Sequence, residues 1–348
     1  MATIRDVAAL ASVSIASVSR YLNTPEKVRQ ATAERIRAAM KACGYRFNYA
    51  AKVLSTQRTK TLGLVIPTIT NTVFADSTRG LQDEATRRGY QVLLANADYD
   101  PAAEGRLIRH LLERQVDALV MTVSDPLAIM ARETPALDIP SVFLYSTLAD
   151  APVSSVGIDN EKGGYDATAH LLDLGHERLA MLAGSFAASD RSRHRYEGYR
   201  RCLRQRGLDH DPSLVVQAPF GLEHCREAVS RLMNRAAPPT AIFASNDLMA
   251  IGAMGALRAF GLTVPQDVSV VGFDDVTFAS YVTPRLTTIR QPVYEMGRLA
   301  AKVALDALEG GDAGPRHLIL EHELVVREST APIRRMSAGF GERGFPVP

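Results

Sequence analysis

Val13-Ser14-Ile15-Ala16-Ser17-Val18-Ser19-Arg20-Tyr21-Leu22 reads as a short helix with two unlike faces. Val18 and Leu22 fall on one side at helical spacing, while Ser14, Ile15, Ala16, Ser19 and Arg20 fall on the other. Upstream, Thr3 followed three residues later by Asp6 is a capping-box pattern, and Ile4, Val7, Ala8 and Ala11 then share one helical face. Ala11-Ser12-Val13 leaves room only for a tight turn between the two helices. A third amphipathic helix is expected from Ala31 to Cys43, with Ile36, Ala39 and Met40 inward and Gly44 as its C-terminal stop. Two short helices joined by a tight turn form a helix-turn-helix, whose second helix offers its N-terminal side chains to base edges in the DNA major groove.

Charge agrees with that reading. The whole chain of 348 residues has 40 Lys and Arg, 38 Asp and Glu, and a formal net charge of +2. Residues 1–60 hold eleven Lys and Arg against three acids, a local charge of +8, which leaves −6 for the remainder. A small basic domain on an acidic body is the electrostatic footprint of a nucleic-acid reader. Arg5 and Arg20 are candidates for phosphate or guanine contacts, since a guanidinium pairs bidentately with the guanine edge. Ile15 and Ala16 are apolar, which points to thymine methyl groups rather than hydrogen-bonded readout.

From Thr61 onward, strands alternate with helices. Leu62-Gly63-Leu64-Val65-Ile66, Gln91 to Ala97, Val116 to Met121 and Pro140 to Tyr145 read as strands, with helices over Ser77 to Arg88 and Pro101 to Arg114. A second half repeats the pattern, with strands at Leu179 to Ala183, Ala241 to Ala244 and Val268 to Phe273. Its helices are expected at Lys162 to Leu174, Arg193 to Gln205, Cys225 to Arg235 and Leu248 to Phe260. Repeated β-α units imply parallel sheets covered on both faces. Two such lobes imply a cleft, with ligands outside the carboxyl ends of the strands.

Several classes are disfavoured. No apolar run reaches the roughly 18 residues of a membrane span. Met1-Ala2-Thr3-Ile4-Arg5-Asp6 shows no apolar signal region, so a cytoplasmic location is expected. Cys43, Cys202 and Cys225 have the spacing of neither a disulfide framework nor a zinc site. No phosphate-binding loop, metal-spaced His/Cys cluster or nucleophile elbow occurs, so neither an enzyme nor a cofactor is expected. Gly339-Phe340-Gly341-Glu342-Arg343-Gly344 matches a dinucleotide-binding pattern in letters but lacks the strand before and the helix after it.

Thr3-Ile4-Arg5-Asp6-Val7-Ala8, Val13-Ser14, Val18-Ser19-Arg20, Leu22-Asn23, Gly44-Tyr45, Asn48 and Leu54 together resemble the headpiece and hinge of LacI/GalR-type transcriptional regulators, and the resemblance runs on to about Thr330. It implies an α/β chain: an all-α helix-turn-helix headpiece over 1–46, a hinge helix and linker over 47–60, and a two-lobed periplasmic-binding-protein-like body. The N-terminal lobe would comprise 61–158 plus 290–318 and the C-terminal lobe 159–289 plus 319–330, with 331–348 a disordered tail. The DNA-contacting residues it implies are Thr3, Arg5, Ser14, Ile15, Ala16, Ser19, Arg20, Asn23, Tyr45, Asn48, Ala51 and Leu54. Leu54 holds the place of the leucine that wedges into the central base step of the minor groove. Three positions depart from the family pattern: Ser12 for a turn Gly, Arg29 for a helix-capping Ser, and Phe47 for Pro.

In the body, Asn71-Thr72-Val73-Phe74 resembles the family loop at the cleft, where Phe74 would stack on a sugar or base. Asp190, Arg191, Arg193 and Arg195 resemble the family's Arg-x-x-Gly helix start, with at least one arginine expected in the cleft. Asn246 and Asp274 match positions that hydrogen-bond ligand hydroxyls, although Asn246-Asp247 also read as a helix N-cap. Phe220 would form the opposite wall, and Tyr145 stands where relatives often have an acid. His176, in Leu174-Gly175-His176, is expected to cap a turn. The resemblance implies a repressor that binds a near-palindromic operator on double-stranded DNA as a homodimer, with a sugar or sugar acid as small-molecule effector and no membrane partner. A purine-type corepressor response is the alternative, and a sugar transport protein or a sugar enzyme are the readings from other classes.

Overall fold

The computed structural model describes residues 2–45, 58–133, 139–220, 222, 224–311 and 314–333. The chain divides into two compact units, Met1–Thr59 and Lys60–Pro348.

The first unit holds helices α1 (Ile4–Leu10), α2 (Ile15–Asn23) and α3 (Gln30–Ala42). Thr3 and Asp6 close the expected capping box on α1: the Thr3 backbone N–H donates to Asp6 Oδ2 at 2.7 Å and the Asp6 N–H to Thr3 Oγ1 at 3.4 Å. The backbone and hydroxyl of Thr3 hold the Asp6 carboxyl below its usual range. Ser14 caps α2 by accepting from Ser17 N–H. Arg29 starts α3 without a side-chain cap. Gly44 lies at φ +63°, and Tyr45 N–H reaches back to the Met40 carbonyl, a Schellman stop. Ser12 turns the chain between α1 and α2 at φ +51°, a conformation that suits Gly better than an L residue. Val7, Ala8, Ala11, Val18, Ile36 and Ala39 form the small core.

The second unit begins with β1 (Thr61–Ile66), α4 (Thr72–Arg87), β2 (Gln91–Asn96), α5 (Pro101–Glu113), β3 (Ala118–Met121), α6 (Pro126–Glu133), β4 (Ser141–Leu144) and β5 (Ser154–Ile158). It continues with α7 (Asn160–Asp173), β6 (Leu179–Gly184), α8 (Asp190–Gln205), β7 (Val215–Ala218), α9 (Cys225–Met233), β8 (Ala241–Ala244), α10 (Asp247–Ala259) and β9 (Ser269–Asp274). The last elements are β10 (Thr287–Arg290), α11 (Val293–Leu308), β11 (His317–Leu320) and β12 (Glu323–Val325). One sheet runs β2-β1-β3-β4-β5-β11 and is parallel throughout. The other runs β7-β6-β8-β9-β10-β12, with only β12 antiparallel.

The alternation of strand side chains builds the layers. In the first sheet, Val65, Leu119, Met121 and Phe143 face Ile108, Leu111 and Ile129 of α5 and α6. Leu62, Leu64 and Val120 face Leu81 of α4 and Ala300, Ala301 and Ala304 of α11. In the second, Ile242 and Val270 meet α9 and α10 through Val229, Leu232, Ala253 and Leu257. Met181, Phe243 and Val271 meet Ala167, Leu171, Tyr199 and Leu203 of α7 and α8. The chain crosses between sheets after β5, after β10 and after β11.

Strand pairing moves the boundaries expected from sequence. Arg290 ends β10 in the second sheet and pairs with Asp274, whereas Ile319 and Leu320 still belong to the first, paired with Gly157 and Ile158. α4 starts at Thr72 rather than Ser77, because Asn71 caps it. α8 starts at Asp190 rather than Arg193, capped by Ser189. Short strands such as β5, β7 and β10 lack a long apolar run to mark them. The start of the expected disordered tail is ordered: Ala331 N–H donates to Ser269 Oγ and Ile333 N–H to the Leu174 carbonyl. The rest of that tail, with its glycine-rich run, lies outside the described residues. Among the described residues no helix is long and apolar enough to cross a membrane.

Candidate functional site

The headpiece presents one candidate surface. Arg5 on α1, Ser14 at the N-cap of α2, and Ala16 and Arg20 on α2 are exposed, and Ile15 leaves 47% of its area open at the first turn. Exposing an isoleucine beside an alanine leaves an apolar strip that a thymine methyl can cover. Thr3 is exposed, but its hydroxyl is engaged with Asp6 Oδ2 at 2.9 Å. Ser19 is half-buried, Asn23 is the last residue of α2, and Tyr45 packs against the headpiece core. Asn48, Ala51 and Leu54, with the whole hinge expectation, lie outside the described residues.

The second candidate site is a cavity between the two sheets of the body, ringed by strand carboxyl ends. Asn71 follows β1, Tyr145 follows β4, Phe220 follows β7 and Asn246 follows β8, while Asp274 ends β9 and Gln291 follows β10. Arg191 and Arg195 enter from the first turns of α8. The space left among these side chains is about 30 Å³ for a water-sized sphere, so a sugar-sized ligand requires the lobes or the side chains to move apart.

Two arginines dominate its chemistry. Arg195 is buried; its Nε donates to Asn160 Oδ1 at 2.9 Å and its Nη1 to the Ser245 carbonyl. Its guanidinium lies 3.5 Å from the centre of the Phe273 ring and 3.6 Å from Asp274 Oδ1. Burial pulls the Arg195 pKa down to about 10, against the attraction of Asp274. Burial pushes Asp274 up to about 6, while Arg195 and the Gln291 amide pull it down. Asp274 sits at φ +119°, and its Oδ1 accepts from Gln291 Nε2 at 2.7 Å. Arg191 Nη1 donates to the Val123 carbonyl at 2.8 Å and to Asp190 Oδ1 at 2.9 Å.

The bond to Val123 crosses between the lobes, and others join it there. Asp190 N–H donates to the Ser124 carbonyl at 2.8 Å, and Ser146 Oγ donates to Asp190 Oδ2 at 2.9 Å. Ser124 is in turn held by the buried Glu104 carboxylate, through its N–H at 2.7 Å and its hydroxyl at 2.8 Å. The beginning of α8 is therefore docked on the loop after β3 of the opposite sheet. Aromatic rings close another side. Tyr99 from the first lobe stacks on Phe220 from the second, with centroids 4.3 Å apart and planes 20° apart. Phe74 meets Tyr145 edge-on at 5.4 Å.

Asn71, Phe74, Tyr145, Arg191, Arg195, Phe220, Asn246 and Asp274 thus converge on one cavity. Two expected residues do not line it. Arg193 is exposed, because α8 turns it to the side away from Arg191 and Arg195. Asp190 is buried but faces the lobe seam, where it partners Ser146 and Arg191. Asn71 and Asn246 also cap α4 and α10, each accepting a backbone N–H. The Tyr145 hydroxyl donates to the Val73 carbonyl at 2.8 Å and serves the wall; burial raises its pKa well above the usual range.

Tyr99, Ser189, Ser192 and Gln291 also line the cavity and were not read from sequence. Tyr99 carried a signal: it lies three residues past the β2 terminus, where ligands of parallel sheets bind. Gln291 carried none without β10.

Comparison with known proteins adds independent information. The sequence profile described as bacterial regulatory proteins, lacI family, matches residues 3–48, and that of a periplasmic binding protein-like domain matches residues 168–330. The chain is 34% identical over 335 residues to the HTH-type transcriptional regulator DegA of Bacillus subtilis, covering 95% of this chain and 98% of the relative. Among solved structures, the transcriptional regulator CelR–cellobiose complex is 35% identical, with a TM-score of 0.69 over 94% of this chain and 100% of that one. The lac repressor dimer bound to operator and the anti-inducer ONPF is 27% identical, with a TM-score of 0.83 over 95% of this chain and 99% of that one.

Proposed function

The chain belongs to the LacI family of DNA-binding transcriptional regulators, which are not enzymes, and from that premise we propose that it is a repressor working as a homodimer on a near-palindromic operator. A sugar or sugar acid in the body cavity is the controlling effector. The observation that carries the reading is the convergence of buried Arg191, Arg195, Asn246 and Asp274 on one cavity between the lobes of a chain whose first sixty residues are strongly basic. The cellobiose held by one relative supports a sugar.

The coupling proceeds through the lobes. A ligand that opens or tightens the seam at Asp190 and Arg191 shifts one lobe against the other, and the shift decides whether two Leu54 wedges meet in the minor groove. That is a coupling free energy between two sites. The lac repressor structure similar over 95% of this chain is a dimer bound to operator, which supports the homodimer.

The test is fluorescence anisotropy of the purified full chain on a palindromic operator of the family type. It is run against scrambled DNA across a salt series, then repeated with sugars and sugar acids. Selective, salt-dependent binding that one compound releases is the expected result; a compound that tightens it is a corepressor. Equal binding to both DNAs leaves only the electrostatic contribution and overturns operator recognition. A Leu54→Ala variant that keeps full operator affinity overturns the hinge mechanism.

A further inference from the structure

The seam between the lobes holds one peptide group between two opposite charges. The group joins Val123 to Ser124 in the loop after β3, and both residues are buried. Its N–H donates to Glu104 Oε1 at 2.7 Å, and its carbonyl accepts from Arg191 Nη1 at 2.8 Å. Glu104 stands on α5 of the first lobe and Arg191 on α8 of the second. A peptide group is a dipole, positive at its hydrogen and negative at its oxygen. The carboxylate and the guanidinium therefore each meet the end that suits them, and each bond polarises the other.

Glu104 is only 2% exposed, and its hydrogen bonds among the described residues both go to Ser124, the second from the hydroxyl to Oε2 at 2.8 Å. A buried carboxylate with no cation to answer it is costly. Burial accordingly pushes its pKa up, while the Ser124 bonds and, beyond them, the charge of Arg191 pull it down. The next carbonyl, that of Ser124, accepts from Asp190 N–H at 2.8 Å. Asp190 is paired with Arg191 at 2.9 Å and takes the Ser146 hydroxyl at 2.9 Å. Three bonds thus cross the seam at one place, and the loop that receives two of them is held on its own lobe by Glu104.

We propose that Glu104 is a positioning residue of the lobe seam: it holds Arg191 of the opposite lobe through the Val123–Ser124 peptide, so the charge on Glu104 sets how readily the lobes part. The inference concerns the seam and stands whatever molecule the cavity takes. Glu104→Gln isolates the charge. The amide keeps the shape, still accepts from Ser124 N–H and offers its own N–H to the hydroxyl, and removes only the anion. The bond from Arg191 to Val123 then loses its polarising partner although no atom of the second lobe has changed.

The experiment is hydrogen exchange at single-amide resolution on the full chain alone, for wild type, Glu104→Gln, Arg191→Met and the double variant. Asp190 N–H is the first of α8 and has no carbonyl of its own helix to bond. Its partner is Ser124 of the other lobe, so its protection reads opening of the seam. Glu104→Gln is expected to lower that protection about tenfold, with the amides of β1 and β8 unchanged. Arg191→Met is expected to lower protection at Ser124 N–H, although the arginine touches only the other end of that peptide. In the double variant the losses are expected not to multiply, the mark of two groups acting through one contact. Full protection of Asp190 in Glu104→Gln overturns the inference. A loss that reaches β1 and β8 also overturns it, since Glu104 would then support the fold in general. Losses that multiply overturn it too, because the two charges would be acting separately. Should Glu104→Gln not fold, Arg191→Met decides: a loosened Ser124 N–H supports the bridge, and a fully protected one overturns it.

Discussion

His176 shows how one side chain can join three segments. Its Nε2 lies 3.0 Å from the Ala331 carbonyl and 3.0 Å from Ser269 Oγ, and its Nδ1 lies 3.0 Å from Thr240 Oγ1. A carbonyl only accepts, so Nε2 carries the proton and Nδ1 accepts from the threonine. Burial holds the pKa of this ring below the usual histidine value, although the Ala331 carbonyl pulls it up. Above about pH 6.5 the ring is neutral in both folded and unfolded chains; below it the unfolded chain takes the proton first, so stability falls with pH. Asp274 works in the opposite direction. Its folded pKa of about 6 exceeds the unfolded value of 3.8, so it contributes stability below that window that is lost as pH rises through it. The two separate by mutation: His176→Asn is expected to melt lower than wild type at neutral pH, yet to lose less on going to about pH 5.5. An unchanged pH slope, read by differential scanning calorimetry, would remove His176 from the account. Ser12 gives a second test at this scale. At φ +51° a β-branched side chain is strained, so Ser12→Val should weaken the headpiece by about 1–2 kcal/mol, seen as faster hydrogen exchange in α1 and α2, while Ser12→Gly is tolerated.

At the scale of elements, the cavity depends on how closely α7 and α8 cross. A Cβ on Gly198 would overlap the Glu161 carbonyl, and one on Gly164 would overlap the backbone of Arg195. The glycine three residues after Arg195 therefore sets the distance at which α8 carries its arginines. Gly198→Ala is expected to cost about 1–3 kcal/mol by overpacking and also to weaken binding of the sugar that wild type takes. Gly207, beyond the other end of the same helix at φ +73° with nothing near its Cβ position, is the comparison. Gly207→Ala should cost about 1 kcal/mol through backbone strain and leave affinity unchanged. Denaturant titration and calorimetry distinguish the two, and equal affinity in both variants would remove the crossing from the site's construction. Helices and long apolar strands were legible in sequence because period and caps coincide there, as at Thr3-Asp6 and Leu62–Ile66. The strands β5, β7 and β10 were not, because four or five residues gain their meaning from sheet neighbours far along the chain. The site followed the same division. Residues tied to a readable helix start or strand end, such as Arg195 and Asp274, were found, whereas Gln291 depended on an unread strand. Arg193 was misplaced because three arginines in five residues share composition but not a helix face.

The molecule as a whole joins a basic reader to an acidic two-lobed body, and the two form separate compact units. Binding to the body should therefore act first on the body's own stability. At a sugar concentration a hundredfold above its dissociation constant, a ligand that binds only the folded body stabilises it by about 2.7 kcal/mol. In calorimetry of the full chain, the transition of the body is expected to rise by that linkage, while a separate headpiece transition stays where it was. The headpiece enters through DNA. If the sugar changes operator affinity by some factor, operator DNA must change sugar affinity by the same factor, since coupling between binding sites is reciprocal. Titrating sugar into the free chain and into the operator complex measures the second factor, and anisotropy with and without sugar measures the first. Equal factors establish that cavity and operator are linked through one equilibrium of this chain. A body stabilised by sugar with both factors equal to one would mean that the cavity binds without signalling, and the regulatory signal would then have to enter elsewhere on the lobes.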